Sequence, residues 1–485
     1  MIVRRVTEPL IAQCAYLIAC PRTRRALLVD PVRDATRYGL IAKEVGVSIV
    51  AVIETHAPSD YVSGVREFLV STSARAYLSG ETTAPKWCAG QSNDWAERVQ
   101  FLRDGEEFSI GDLRARAILT PGHADGALSI LVVHLPSGVQ VILTGDALLP
   151  GGVGSSNDLE SEVLRDSLLR LGQLDDATVI LAGHTSGSSC GRSVNLPGET
   201  TLGIERRFNR VFQTLTDAAA FTSAVQERRP DRPSYFSRME QVNQHERPSY
   251  VHQLSQPKEV DGDTFVQLLS IPRTVVLDTR SWTRFTSDAP EGALHIPLDR
   301  HFSPLIAVSV GPDERVAVIC DRNQIGEITR ALRLIGIDDM TGWIASDVFA
   351  MIDRSLLNYS DVDDISQHEA HRLFERGEAF FLDVRNTAEW LRGRIADARF
   401  MTLSQIPGLI GQIPRDKFVV AYCASGGRSA RACAFLHRRG IECATLKGGY
   451  WPWFGRGYPV EGADLPVGSV EAALGKTIPS RTISQ

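Results

Sequence analysis

The rhythm of apolar and polar positions changes near residue 250. Before that point, short β-branched runs arrive in quick succession: ALLVDP from Ala26, SIVAVIETH from Ser48, RARAILTPGH from Arg114, SILVVHL from Ser129 and VQVILTGD from Val139. Gly, Pro and Asp punctuate them, as expected of strands ended by turns. Helical periodicity intervenes at about 34–45 and 159–172, so the pattern predicts an α+β or layered sandwich. The opening MIVRRVTEPLIAQCAYLIACP is interrupted by Glu8 and Gln13 and lacks a small-residue cleavage site before Arg22. It reads as a first buried strand rather than an export signal. Residues 227–260 are polar and proline-bearing, and read as the tail of the first domain and a linker.

Beyond 250 the chain repeats itself. TVVLDTRSWTRF, with Asp278 and Arg280, is echoed by AFFLDVRNTAEW, with Asp383 and Arg385. ERVAVIC ending at Cys320 is echoed by KFVVAYC ending at Cys423, and Gly336 of ALRLIGID by Gly440 of FLHRRGIE. The offsets are 105, 103 and 104 residues, so one domain is duplicated. In each copy a β-branched run, a helical pattern and another such run follow in turn, the signature of α/β units around a parallel sheet.

A length of 485 residues suits about three domains. With 43% hydrophobic and 23% charged residues the composition is that of globular protein, and disordered or disulfide-scaffold classes are excluded. A net charge of −6 without a basic block argues against nucleic acid as a partner. No apolar stretch has the length of a membrane-spanning helix. The eight cysteines form no CxxC pair, and the absence of an export signal points to reduced thiols and a cytoplasmic location.

Cys423 stands between a strand and a helical stretch, in CASGGRS. A sulfur there faces unpaired backbone N–H groups and the positive end of a helix dipole, Gly426 and Gly427 let the chain curl around it, and Arg428 adds charge. These features favour a thiolate or persulfide. Four residues separate Cys423 from Arg428, a ring sized for one sulfur atom rather than a phosphate. The loop resembles the active loop of rhodanese-type sulfurtransferases, and the resemblance extends to LDVR near Asp383, to Glu389-Trp390 and to KGGYWPWFGRGYPVE. It implies Cys423 and Arg428 as catalytic residues, and Ala424, Ser425, Gly426 and Gly427 as the substrate-binding loop. GRIADA at 393–398 departs from the usual Gly-His-Ile-Pro-Gly-Ala. Around Cys320 the loop reads CDRNQIGE, with no glycine pair, Asp321 beside the thiol and Ile325 in the arginine's place. The middle repeat is therefore expected to be rhodanese-like without turnover.

In the first half, histidines and acids gather at strand ends: ETHAPSDYVSG, LTPGHADGALS, LTGDALLPGG and LAGHTSGSSCG. With VDPVRD, TTLGIERRFN and RPSYFSRMEQVN, they resemble the metallo-β-lactamase superfamily over residues 1 to about 245, and within it the persulfide dioxygenase branch. Thr55, His56 and Asp60 match the superfamily's Thr-His-x-His-x-Asp-His, but Pro58 and Tyr61 replace two histidines, which disfavours a two-zinc esterase. The branch implies one Fe(II) per chain on His56, His123 and Asp146, with zinc the less favoured metal. Two histidines and a carboxylate leave open positions suited to non-haem Fe(II) and O2. Asp60 and His184 are placed behind the ligands, Asp60 bonding within its own loop. Cys190 is a candidate thiol intermediate, with structural burial preferred. After Asp146 the chain reads PGGVGSSNDL, without the arginine usual in the branch.

The fold expected is multidomain: a metallo-β-lactamase αββα sandwich over 1–250, a rhodanese-like α/β domain over 251–357, a second over 358–465 and a tail over 466–485. The function implied is oxidation of a low-molecular-weight persulfide by O2 to sulfite, joined to sulfane-sulfur transfer through Cys423. Substrates are then a persulfide, thiosulfate or sulfite, and homo-oligomerisation is left open. The alternatives are a sulfurtransferase with a metal-free scaffold domain, or a non-catalytic sulfur carrier.

Overall fold

A computed structural model of the chain describes residues 1–88, 96–156, 158–186, 188, 190–192, 200–227, 232–244, 251–358 and 364–462. The expected tail over 466–485 and part of the 227–260 linker lie outside them. The chain forms two compact units. One comprises Met1–Pro257 with Leu298–Ala307 and Gln324–Asp339; the other comprises Lys258–Pro297, Val308–Asn323 and the chain from Met340 onward.

In the first unit the opening segment is two strands, not the single one expected. Ile2–Glu8 and Gln13–Ala19 pair antiparallel around a turn at Pro9–Ala12, where Ala12 takes a positive φ of 56°. The hairpin continues into Arg25–Val29, Ser48–Ile53, Arg75–Ser79 and Val99–Leu102, a six-stranded sheet that is parallel from the third strand on. A second six-stranded sheet is a meander of Glu107–Ile110, Leu113–Leu119, Leu128–His134 and Gln140–Gly145, extended by parallel Val179–Ala182 and by Thr200–Thr201.

Alternation along the strands sorts their side chains between two faces. Tyr16, Ile18, Leu27 and Ile53 meet Ala115, Ile130, Val141 and Leu143 between the sheets. On the outer faces, Leu17, Leu28 and Val52 pack on Tyr38 and Ala42 of helix Ala35–Val45 and on Phe68 of Val65–Ser71. Ile142 and Ile180 pack on Leu164, Leu168 and Leu171 of Asp158–Leu171. This is an αββα sandwich.

The second unit holds two parallel sheets. One orders Leu294–His295, Thr274–Asp278, Arg315–Cys320 and Met340–Ala345. The other orders Asp364–Ile365, Cys443–Leu446, Phe418–Tyr422, Ala379–Asp383 and Arg399–Phe400. The repeated Asp-x-Arg is structural in both. Arg280 forks onto Asp278 at 2.7–3.2 Å and Arg385 onto Asp383 at 2.6–2.9 Å, all four buried. Arg385 also donates to Gly393 O at 2.6 Å, tying down the divergent GRIADA segment. Among the described residues no helix is long and apolar enough to cross a membrane.

Candidate functional site

Four strand ends deliver the polar side chains of the first unit to one edge of the sandwich. His56 follows Ser48–Ile53 by three residues and His123 follows Leu113–Leu119 by four; Asp146 directly follows Gln140–Gly145, and His184 follows Val179–Ala182 by two. One ligand atom each from His56, His123 and Asp146 lies within 4.8 Å of the others. Asp146 Oδ2 is 3.4 Å from His123 Nε2 and 3.8 Å from His56 Nε2, and the two rings meet edge-on at 5.3 Å.

The opposite ring nitrogens are already spoken for. His123 Nδ1 donates to Ser155 O at 2.9 Å. Asp30 accepts from Thr55 N at 2.7 Å and from Thr55 Oγ1 at 2.9 Å, which orients Thr55 Oγ1 to receive His56 Nδ1 at 3.0 Å. Both tautomers thus leave Nε2 with a free lone pair facing Asp146, the arrangement in which outer partners fix a metal-binding imidazole. Burial holds the His56 imidazole down to about 4, although Asp146 opposes this, so it is a neutral donor. The donor set fits one divalent transition metal. Gly145 is required here: at φ 50°, a Cβ would come within 2.5 Å of Thr55 Oγ1.

In place of the bond expected within its own loop, Asp60 turns to His184. Its Oδ2 accepts from His184 Nε2 at 2.9 Å, and His184 Nδ1 donates to Asp146 at 2.7 and 2.9 Å. Burial disfavours charge on His184, but the carboxylates of Asp146 and Asp60 outweigh it and raise its pKa well above the ordinary value. For Asp146 burial is likewise outweighed, by His184 first and then His123 and His56, and the carboxyl lies below its usual range. Both nitrogens of His184 thus face carboxylates in this arrangement. Cys190 joins Asp60 and His184 in a second, fully buried group, and burial pushes its thiol well up.

Asn243 had no chemical signal beyond its place in RPSYFSRMEQVN. Its Nδ2 donates to Pro58 O and Tyr61 O, both at 2.8 Å, and its Oδ1 accepts from Ser63 N at 2.9 Å. It therefore fastens the backbone of the loop that carries His56 and Asp60. A cavity of about 670 Å³ opens over His56 and His123, bounded by Ser79, Thr83, Phe236 and Arg232. Arg232 brings a guanidinium to this cavity from outside the segment after Asp146. It lies 5.4 Å over the Phe236 ring and pairs with Glu240 at 2.5 Å.

In the second unit, strand Phe418–Tyr422 runs into the Cys423 loop and helix Gly427–Arg438 follows. Gly426 N donates to Cys423 Sγ at 3.1 Å and Ser429 Oγ approaches it at 3.8 Å. Burial raises the thiol pKa, but backbone N–H groups of Ser429, Ser425 and Gly426 more than offset it, so the thiol lies below the ordinary value. Within the loop the amides of Ser425 and Gly426 face the sulfur, and Gly426 adopts φ 109° in the turn. Arg428 is held fork-to-fork by Glu389 at 2.7 and 2.8 Å, and its pKa is raised by Glu389 first and also by Cys423. Glu389 is in turn fixed by a reciprocal cap with Asn386. Around Cys320 the chemistry is opposite: burial, Asp321 and Glu259 push that thiol up to about 12, and Arg322 turns to Asp347 and Glu259.

Residues 12–184 match the metallo-β-lactamase superfamily and residues 366–455 match the rhodanese-like domain, so the chain joins a metallo-β-lactamase-superfamily domain to a rhodanese-like domain. A sulfurtransferase of Allochromatium vinosum is 36% identical over 106 residues, 22% of this chain and 95% of that protein. The mitochondrial persulfide dioxygenase ETHE1 of Bos taurus is 27% identical over 158 residues, 32% of this chain; the match spans 56% of that enzyme's length. A metallo-β-lactamase structure from Staphylococcus aureus shares the fold over 71% of this chain and 99% of its own, with TM-score 0.61 and 24% identity.

Proposed function

We propose that the chain is an enzyme of sulfur metabolism with two separate activities. A domain over 1–250 oxidises a low-molecular-weight persulfide with O2 to sulfite, and a domain over 358–465 transfers sulfane sulfur, with a rhodanese-like domain over 251–357 that does not turn over. The observation that carries this reading is the convergence of His56 Nε2, His123 Nε2 and Asp146, beside a His184 whose two nitrogens are taken by Asp146 and Asp60. Pro58 and Tyr61, in place of two histidines of the motif, support one metal rather than two.

His56, His123 and Asp146 would hold Fe(II), which supplies open positions for sulfur and dioxygen and the redox capacity for sulfur oxidation. The protein's own work is positional. Thr55 and Ser155 keep both imidazoles in the ligating tautomer, His184 orients Asp146, and the cavity lined by Ser79, Thr83 and Arg232 accepts an organic persulfide. In the other domain the Cys423 thiolate attacks the outer sulfur of thiosulfate. The S–S bond breaks, sulfite leaves with its electron pair, and Cys423 becomes a persulfide. A nucleophilic acceptor then takes the terminal sulfur and restores the thiolate. Amides of Ser425, Gly426 and Ser429 stabilise the anionic sulfur in both states.

Protein prepared anaerobically should carry about one iron per chain and consume O2 when given a small persulfide. His123→Ala should lose iron and O2 uptake while keeping thiosulfate:cyanide sulfur transfer. Iron-loaded protein that consumes no O2 with small persulfides would leave a sulfurtransferase attached to a scaffold domain.

A further inference from the structure

Helix Ile325–Leu334 lies within the second repeat by sequence, at the place where helix Gly427–Arg438 of the third repeat starts from the sulfur loop. By its contacts, however, the segment Gln324–Asp339 belongs to the first unit. There it meets two turns, 30–34 and 60–64, which are themselves joined: Val32 bridges Ser63, and Gly64 N donates to Pro31 O at 2.8 Å.

Each turn is gripped by the segment. Val62 N donates to Leu334 O at 2.8 Å. Arg33, its side chain 3% exposed, donates to Arg333 O at 2.9 Å and forks onto Asp338 at 2.5 and 3.0 Å. Leu334 is buried in the apolar cluster of Val32, Tyr61, Val65 and Phe68, and Arg330 reaches the buried carboxylate of Glu8. Asp30, at the start of the first turn, holds Thr55 and through it His56; Asp60 lies in the second turn.

We infer that the segment Ile325–Asp338 is a positioning element of the metal centre: it clamps turns 30–34 and 60–64 together and so sets the placement of His56 and the Asp60–His184 pair. This rests on the metal reading above. It gives the second repeat a role that needs no cysteine chemistry, because the helix that builds a sulfur cradle in the third repeat is committed here to another task. Asp338 is bonded to Arg33 of the first turn, so its influence on the metal centre passes through that turn.

The test uses the full chain with Co(II) as the probe metal. Asp338→Ala should release Co(II) at least tenfold faster and alter its visible absorption, while thiosulfate:cyanide transfer at Cys423 stays unchanged; Asp338→Glu should recover part of the loss. In the unsubstituted chain, Co(II) should slow amide hydrogen exchange in 333–338 together with 60–64, a readout that does not depend on a variant folding. Wild-type Co(II) release and absorption in Asp338→Ala, even with a lowered Tm, would overturn the inference, as would exchange in 333–338 that ignores the metal. An unsubstituted chain that binds no Co(II) would overturn the metal reading itself, and this inference with it.

Discussion

Two cysteines at equivalent places in a repeat have opposite surroundings. Cys423 receives backbone N–H donors, while Cys320 is buried beside Asp321 and pushed up to about 12. Cys423→Ser should therefore abolish thiosulfate:cyanide transfer and Cys320→Ser should leave it nearly intact; equal losses in the two variants would contradict the assignment. The sign of the pH dependence follows. A thiol held below its ordinary value of about 8.5 stays ionised as pH falls to that lower value, so the rate-limiting inflection should lie on the acid side of a free cysteine. Glu389 fixes Arg428 in a two-bond fork. Glu389→Gln keeps the shape but removes the charge, and should slow transfer about tenfold with little change in Tm, checked by steady-state rates and thermal melts. Asp60→Asn retains a carbonyl acceptor for His184 Nε2 and should keep more iron than His123→Ala, checked by metal analysis of the purified variants.

At the scale of elements, loop His56–Gly64 is held from outside itself. Helix Phe236–Gln244, 180 residues downstream, contributes Asn243 with three bonds to Pro58, Tyr61 and Ser63. At about 1 kcal/mol each, and with buried polar groups left unpaired, Asn243→Ala should cost about 2–4 kcal/mol. Denaturant unfolding would measure this, and metal release should quicken in parallel because the loop presents His56. The strands of this unit were legible from their β-branched runs because each needs only local spacing. The first of them was not: Glu8 and Gln13, which break the opening run, are 1% exposed and flank the turn of a hairpin. Glu8 is matched there by Arg37 and Arg330, and Gln13 donates to Asp30 O at 2.6 Å. Partners that far along the chain leave no trace in local periodicity.

For the whole molecule, the proposed activities belong to different units, the His56, His123 and Asp146 group in the first and Cys423 in the second. They should be separable by chemistry as well as by substitution. Stripping metal with a chelator should abolish O2 uptake on a persulfide and leave thiosulfate:cyanide transfer intact, whereas Cys423→Ser should do the reverse. Loss of both activities on chelation would contradict two independent centres. The same division decides where the second repeat acts: its strands stay in the second unit while residues 324–339 join the first.

By itself the sequence determined the layered α+β character of the first half and the α/β character and duplication of the second, because periodicity and turn chemistry are local; the αββα class came from the family resemblance of its motifs. Cys423 and its glycines lie in one short stretch, 423–427, so that loop could be read whole. The tertiary structure alone decided the bonding around His56, His123 and Asp146. Asp60 reaches His184 across 124 residues, Asn243 reaches Pro58 across 185, and Arg33 reaches Asp338 across 305. Such pairs are set by which strand ends and turns the packed sheets bring together, since a hydrogen bond needs proximity in space and carries no signature along the chain.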